Sequence, residues 1–144
     1  HILPRTVTLN FHNSKGDALV RVRGNAIRQV LVNLALNAAE AMPKGGQIDI
    51  SASVEQGEPT KDDSLLPEHL RGTRAVLEIH DNGDGIPPEV RPRIFDPFFT
   101  TKDPDKGTGL GLMIAHEIVA DHGGDIEVSS PGQEGSQFLI RLPA

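Results

Sequence analysis

The 144-residue chain has no cysteine, no tryptophan and no tyrosine. Without cysteine there is neither a disulfide framework nor a thiolate metal site, and a reducing compartment is the expected setting. No apolar run reaches the length of a membrane span, and no segment has the make-up of a signal peptide. A soluble, cytoplasmic domain without direct membrane contact is therefore expected. Positive charge is scarce as well, with 14 Lys and Arg against 20 Asp and Glu and a formal net charge of -6. Nucleic-acid surfaces need clustered basic residues to neutralise phosphates, so that class of partner is set aside. What the chain does have is length enough for one domain, residues 1–144, with a single buried core.

Read in order, Val7, Leu9 and Phe11 alternate with polar neighbours, and Leu19 to Val22 follow a turn at Ser14 to Asp17. This predicts an N-terminal hairpin. A long helix is expected from Gly24 and Asn25 to about Met42, with Ile27, Val30, Leu31, Leu34, Ala38 and Ala41 as its core stripe. Gln29, Asn33, Asn37 and Glu40 line a neighbouring face of that helix at spacings of three and four. Pro43 and Gly45-Gly46 end it. A strand is predicted over Ile48 to Val54, then a surface excursion over 55–73 whose composition is that of a segment with little fixed structure, with one helical turn around Leu65 to Leu70. Arg74 to His80 return as a strand that delivers Asp81 into a glycine turn. A lid over 87–106 follows, long, charged and mobile, with a helical turn at Pro87 and Pro88 that carries Arg91 and Arg93.

The second helix is expected over Leu110 to Asp121, with Leu110, Ile114 and Ile118 on its stripe, Met113, Ala115 and Val119 beside them, and Gly123-Gly124 as its stop. Ile126 to Ser129 and Gln137 to Leu142 complete a strand pair, joined by Pro131 to Gly135. The order of elements predicts an α+β two-layer sandwich, a mixed and mostly antiparallel sheet with helices on one face.

The chemistry is concentrated between Asp81 and Leu112. Gly107, Gly109 and Gly111 open a helix whose unpaired N–H groups and positive dipole end favour phosphate, although such a loop also serves as a plain flexible connection. Asp81, at a strand end ahead of Gly83 and Gly85, can accept hydrogen bonds from an amine such as that of adenine, or cap its own turn. The Asn37 amide oxygen suits Mg2+ whose remaining ligands are triphosphate and water, or else a hydrogen bond to backbone. Arg91, Arg93, Lys102 and Lys106 are interleaved with Asp96, Asp103 and Asp105, which fits either a phosphate-steering patch or a solvated loop. Phe95, Phe98 and Phe99 are three of the five phenylalanines, and either pack into the core or latch onto another domain.

Together these motifs resemble the catalytic ATP-binding domain of bacterial two-component sensor histidine kinases, in the wider Bergerat-fold superfamily that includes DNA gyrase, MutL and heat-shock chaperone ATPases. Gln29 to Met42 resembles the asparagine box, Asp81 to Ile86 the first glycine box, Phe95 to Lys102 the phenylalanine box and Gly107 to Leu112 the second glycine box. Gly135-Ser136-Gln137-Phe138 resembles the terminal glycine box, with Ser where Thr is usual. The wording Glu40-Ala41-Met42-Pro43 and Phe98-Phe99-Thr100-Thr101-Lys102 is most similar to the nitrogen-regulation and oxygen-sensing type.

The resemblance implies ATP and Mg2+ as cofactors, with Asn37 on the metal and Asn33, Asn37 and Lys102 as the catalytic set. It places Asp81, Gly83, Gly85 and Ile86 around the base, with Ser136 sharing a water with Asp81. Lys102, Gly107, Thr108, Gly109, Leu110, Gly111 and Leu112 would wrap the phosphates beneath the lid. Many members carry a basic residue where this chain has Glu40, so phosphate charge would fall to Lys102, Arg93 and the helix terminus. The implied activity is transfer of the γ-phosphate to a histidine on a separate dimerisation domain, with a response regulator as indirect partner. His116-Glu117, the one His-Glu pair, lacks the downstream proline of an acceptor motif and reads as an exposed pair. A Bergerat-type hydrolase would need a Glu base where Asn33 stands. That alternative, and a nucleotide-binding module without catalysis, are separated from the kinase by experiment.

Overall fold

A computed structural model describes residues 7–13, 22–42, 44–97, 110–129 and 135–143. Five stretches of alternating residues build its sheet: β1 (Val7–Asn13), β2 (Gly46–Gln56), β3 (Thr73–Asp81), β4 (Asp125–Ser129) and β5 (Gln137–Pro143). They lie in the order β1-β2-β3-β5-β4. β1 pairs with β2 in parallel and every other pair is antiparallel. The predicted N-terminal hairpin is described only in its first arm. The described partner of β1 is β2, reached through a helix as parallel pairing requires, while the second arm lies outside the described residues except for Val22.

Because side chains alternate across a strand, the ladder register sorts the sheet into two faces. Ile48 faces Asp81, Ile50 faces Ile79, and Ile79 in turn faces Phe138. These residues, with Ile140 and Leu142, form the sheet side of the core. Two helices cover them: α1 (Gly24–Glu40) through Val30, Leu34, Ala35, Ala38 and Ala39, and α2 (Gly111–Asp121) through Ala115 and Val119. On α2 the buried stripe is turned by about one residue from Leu110, Ile114 and Ile118, which are only half-buried. Ala115, fully buried, lets the helix approach closely, and the larger residues then wrap around the contact.

The two helices run antiparallel, and α2 is tied to α1 at both of its own ends. The Nδ2 of Asn33 donates to the carbonyl oxygen of Gly111 at 3.1 Å. At the other end the Arg23 N–H, which precedes the uncapped start of α1, donates to His122 Nε2 at 3.2 Å. With Nε2 accepting, the Nδ1–H of the ring donates to the Ile118 carbonyl at 2.7 Å. Helical rise makes Arg23 to Asn33 about 15 Å and Gly111 to His122 about 16 Å, so the two rungs match.

The opposite face of the sheet is polar. Arg141 meets Glu55 at 3.1 Å, Asp125 at 3.0 Å and Glu127 at 3.2 Å, and Arg74 meets Glu55 at 2.9 Å. Val76, across the ladder from Arg141, is buried within this face. The Asp49 carboxyl is held below the usual carboxylate range, chiefly by the Gln47 amide, then by Asn10 and His12 of β1, against a smaller opposing effect of burial.

The excursion after β2 has more fixed structure than its composition predicts. It forms 3-10 turns at Lys61–Leu65 and Glu68–Leu70. The Asp63 carboxylate is buried and accepts the backbone N–H groups of Thr60 at 2.7 Å and Gly72 at 3.0 Å, completing a capping box. Such reciprocal capping satisfies donors that a loop would leave unpaired.

Candidate functional site

β3 ends at Asp81, which is 2% exposed, on the helix-facing side of the sheet. Both carboxylate oxygens have donors. The Gly83 N–H reaches Oδ1 at 2.9 Å, and the Ser136 hydroxyl donates to Oδ2 at 2.5 Å. The first contact is the Asx-type turn that the sequence allowed; the second comes from across the sheet, where the Asp81 N–H also bonds the Ser136 carbonyl at 3.0 Å. Ser136 thus touches Asp81 directly. Each carboxylate oxygen has two lone-pair sites, so the group keeps acceptor capacity for a ligand amine.

Three other segments crowd this turn. A β-carbon at Gly83 would lie 2.8 Å from the Ala41 carbonyl oxygen at the end of α1, and one at Gly135 would lie 2.9 Å from Asn82 Cα. A β-carbon at Gly46 would lie 2.5 Å from Asn82 Oδ1 and would also strike the Met42 sulfur. Gly85 and Gly135 have φ of 80° and 88°, which side chains other than glycine rarely adopt. The predicted Gly83 and Gly85 are here, with Ile86 packed against the core beside them. Gly46 and Asn82 were not among the predicted site residues. Their signals were a glycine at a strand start, which marks close approach of another segment, and an Asn next to glycine in a turn.

The polar edge of α1 joins this turn to the start of α2. Residues four apart on a helix stack along one face, and Asn33, Asn37 and Ala41 are such a row. Ala41 abuts Gly83 and Asn33 is bonded to Gly111, so Asn37 lies between the first glycine turn and α2. Asn37 is half-buried, and its amide has no hydrogen-bond partner among the described residues. Asn33 is bonded on both sides of its amide: its Oδ1 accepts from Gln29 Nε2 at 2.7 Å while Nδ2 donates to the Gly111 carbonyl. No cluster of three or more His, Asp and Glu among the described residues could hold a metal ion.

α2 begins at Gly111 after Leu110, without a side-chain cap and without an acidic residue in its first turn. Its first N–H groups are therefore left for another acceptor. Leu112 packs against the core. Lys102, Gly107, Thr108 and Gly109 lie outside the described residues, as do Phe98 and Phe99. Of the lid, residues 87–97 are described, with a 3-10 turn at Arg91–Arg93. Phe95 packs edge-on to Phe138, with ring centroids 6.4 Å apart, and against His116 at 5.0 Å. That is core packing, and it anchors the start of the lid to α2 and β5. His116 and Glu117 are exposed.

The profile of the family described as histidine kinase-, DNA gyrase B-, and HSP90-like ATPase matches residues 22–144. Sensor kinase CckA of Brucella abortus (strain 2308) is 44% identical over 119 residues, 80% of this chain and 12% of that protein. The sensory histidine kinase/phosphatase NtrB of Azospirillum brasilense is 43% identical over 142 residues, 94% of this chain and 33% of that protein. The chain thus spans a third or less of these curated relatives. Among solved structures, the catalytic domain of histidine kinase ThkA has a TM-score of 0.72 at 32% identity, covering 96% of this chain and 80% of that one.

Proposed function

The chain belongs to the histidine kinase-, DNA gyrase B-, and HSP90-like ATPase family, among the catalytic domains of two-component histidine kinases, and from that premise we propose that it positions ATP for phosphoryl transfer to a histidine on another domain. The observation that carries this reading is the row Asn33, Asn37, Ala41. One helix edge touches both the Asp81 turn and the start of α2, so a single ligand along it meets base-binding and phosphate-binding groups together.

In this reading Asp81 accepts the adenine amine, held by Gly83 and Ser136, and Gly83, Gly85 and Ile86 shape the pocket around the base. Leu110, Gly111 and Leu112, with Gly107, Thr108 and Gly109, present backbone N–H groups to the polyphosphate, and Lys102 adds a direct positive contact. Asn37 would hold Mg2+. A half-buried amide with no partner among the described residues suits an ion whose other ligands come from phosphate and water. When bound, the ion would offset charge on the phosphate oxygens. Asn33 supports the first turn of α2 and, being an amide where a hydrolase needs a carboxylate, supplies no base to activate water. Phosphoryl transfer depends mainly on position and charge, so a domain without its own nucleophile still supplies the catalytic part.

The acceptor would be the dimerisation domain of the same kinase, with a response regulator downstream and the cytoplasm as the setting. Among the described residues no helix is long and apolar enough to cross a membrane. Titrating the chain with ATP, with and without Mg2+, tests the site. Mg2+ is expected to tighten binding, and Asn37→Ala to abolish that tightening. Binding indifferent to Mg2+, or tightening that survives in Asn37→Ala, would overturn the assignment of Asn37.

A further inference from the structure

The end of the β2–β3 ladder is closed by a side chain in place of backbone. Ile48 and Asp81 are the last paired residues. One step outward, the Gln47 N–H is taken by Asn82 Oδ1 at 2.9 Å. The Asn82 backbone is thereby released from the ladder and turns at once, which brings the Gly83 N–H back onto Asp81 Oδ1 at 2.9 Å. The amide that closes the ladder belongs to an exposed residue, with two glycines close beside it. A β-carbon at Gly46 would lie 2.5 Å from Asn82 Oδ1, and one at Gly135 would lie 2.9 Å from Asn82 Cα. A side chain at Gly46 would push the Asn82 amide or the Met42 side chain aside, and one at Gly135 would strike the Asp81 backbone first.

We propose that Asn82 is a positioning residue for Asp81, and that Gly46 is the vacancy that admits it. The bond to Gln47 fixes the angle at which the chain leaves β3, and with it the direction of the Asp81 carboxylate. This rests on Asp81 reading the base. An aimed carboxylate accepts from the adenine amine and opposes the carbonyl oxygen that guanine carries at the same place. A carboxylate free to swing loses that distinction more than it loses general affinity. The staple therefore contributes to adenine-over-guanine selectivity, which a purely structural bond would leave alone.

The test measures ATP and GTP affinity, by competition, alongside thermal unfolding. Asn82→Ala is expected to weaken ATP about tenfold, as loss of one oriented hydrogen bond would, with GTP changed much less. Asn82→Asp keeps an acceptor for the Gln47 N–H and should retain the ATP-to-GTP ratio, since its added charge affects both nucleotides alike. Gly46→Ala should displace the amide and lower the ratio as Asn82→Ala does, and the double variant should fall no further. If Asn82→Ala does not fold, the contrast between Gly46→Ala and Asn82→Asp decides. An unchanged ratio with a lowered unfolding temperature would overturn the proposal. Failure of the parent chain to bind ATP would remove the functional reading and this inference together. ATP binding that Asp81→Asn weakens and Asn82→Ala does not touch would remove this inference alone.

Discussion

Asp81 holds a buried charge that is already solvated by protein, with Gly83 below it and Ser136 beside it. Replacing one oxygen by an NH2 group, as in Asp81→Asn, sets a donor against one of those donors and removes an acceptor from the base. ATP affinity should fall by about 1–3 kcal/mol, roughly fivefold to 150-fold, in a direct binding titration. Unchanged affinity would place the base elsewhere. The turn that Asp81 makes with its glycines was legible because a carboxylate ahead of a Gly-x-Gly stretch is a local pattern. Its direct contact with Ser136 was not, because those residues are 55 apart and meet only through the register of β3 on β5. Asn82 and Gly46 were hidden for the same reason: each reads as an ordinary turn residue until the other is placed against it.

At the scale of elements, α1 and α2 behave as one unit because both ends of α2 are bonded to α1, at its start and its middle, as well as packed against it. Asn33→Ala removes the rung next to the phosphate-binding end and leaves the His122 rung in place. Stability should fall by about 1 kcal/mol, and hydrogen exchange should quicken in the first turn of α2 more than in its last. Equal quickening along the whole helix would show that the rung has no local effect. Helix and strand positions were legible from periodicity, to within a residue or two for most elements. Two features were not. The rotation of the buried stripe on α2 depends on Ala115 meeting a neighbour, and the parallel partner of β1 depends on a crossover that alternation alone does not reveal. The excursion shows a third limit: its polar composition gave no sign that Asp63 would be buried by two backbone donors.

For the whole molecule, the division of the sheet into two faces assigns the work. One face carries the helices, the core and the Asp81 turn; the other carries the ion pairs around Arg141 and gives the sheet a solvated back. The resulting domain gathers the groups proposed to bind a nucleotide, and its one His-Glu pair is exposed on α2, with His116 against Phe95. In the proposed reading it would act on a phosphoryl acceptor brought by another domain. The direct measurement is to mix the chain with its cognate dimerisation domain and ATP labelled on the γ-phosphate. The account predicts label on a histidine of the added domain, and almost no free phosphate from the chain alone. Label released steadily as free phosphate by the chain alone, or ATP bound tightly with no label transferred, would contradict it.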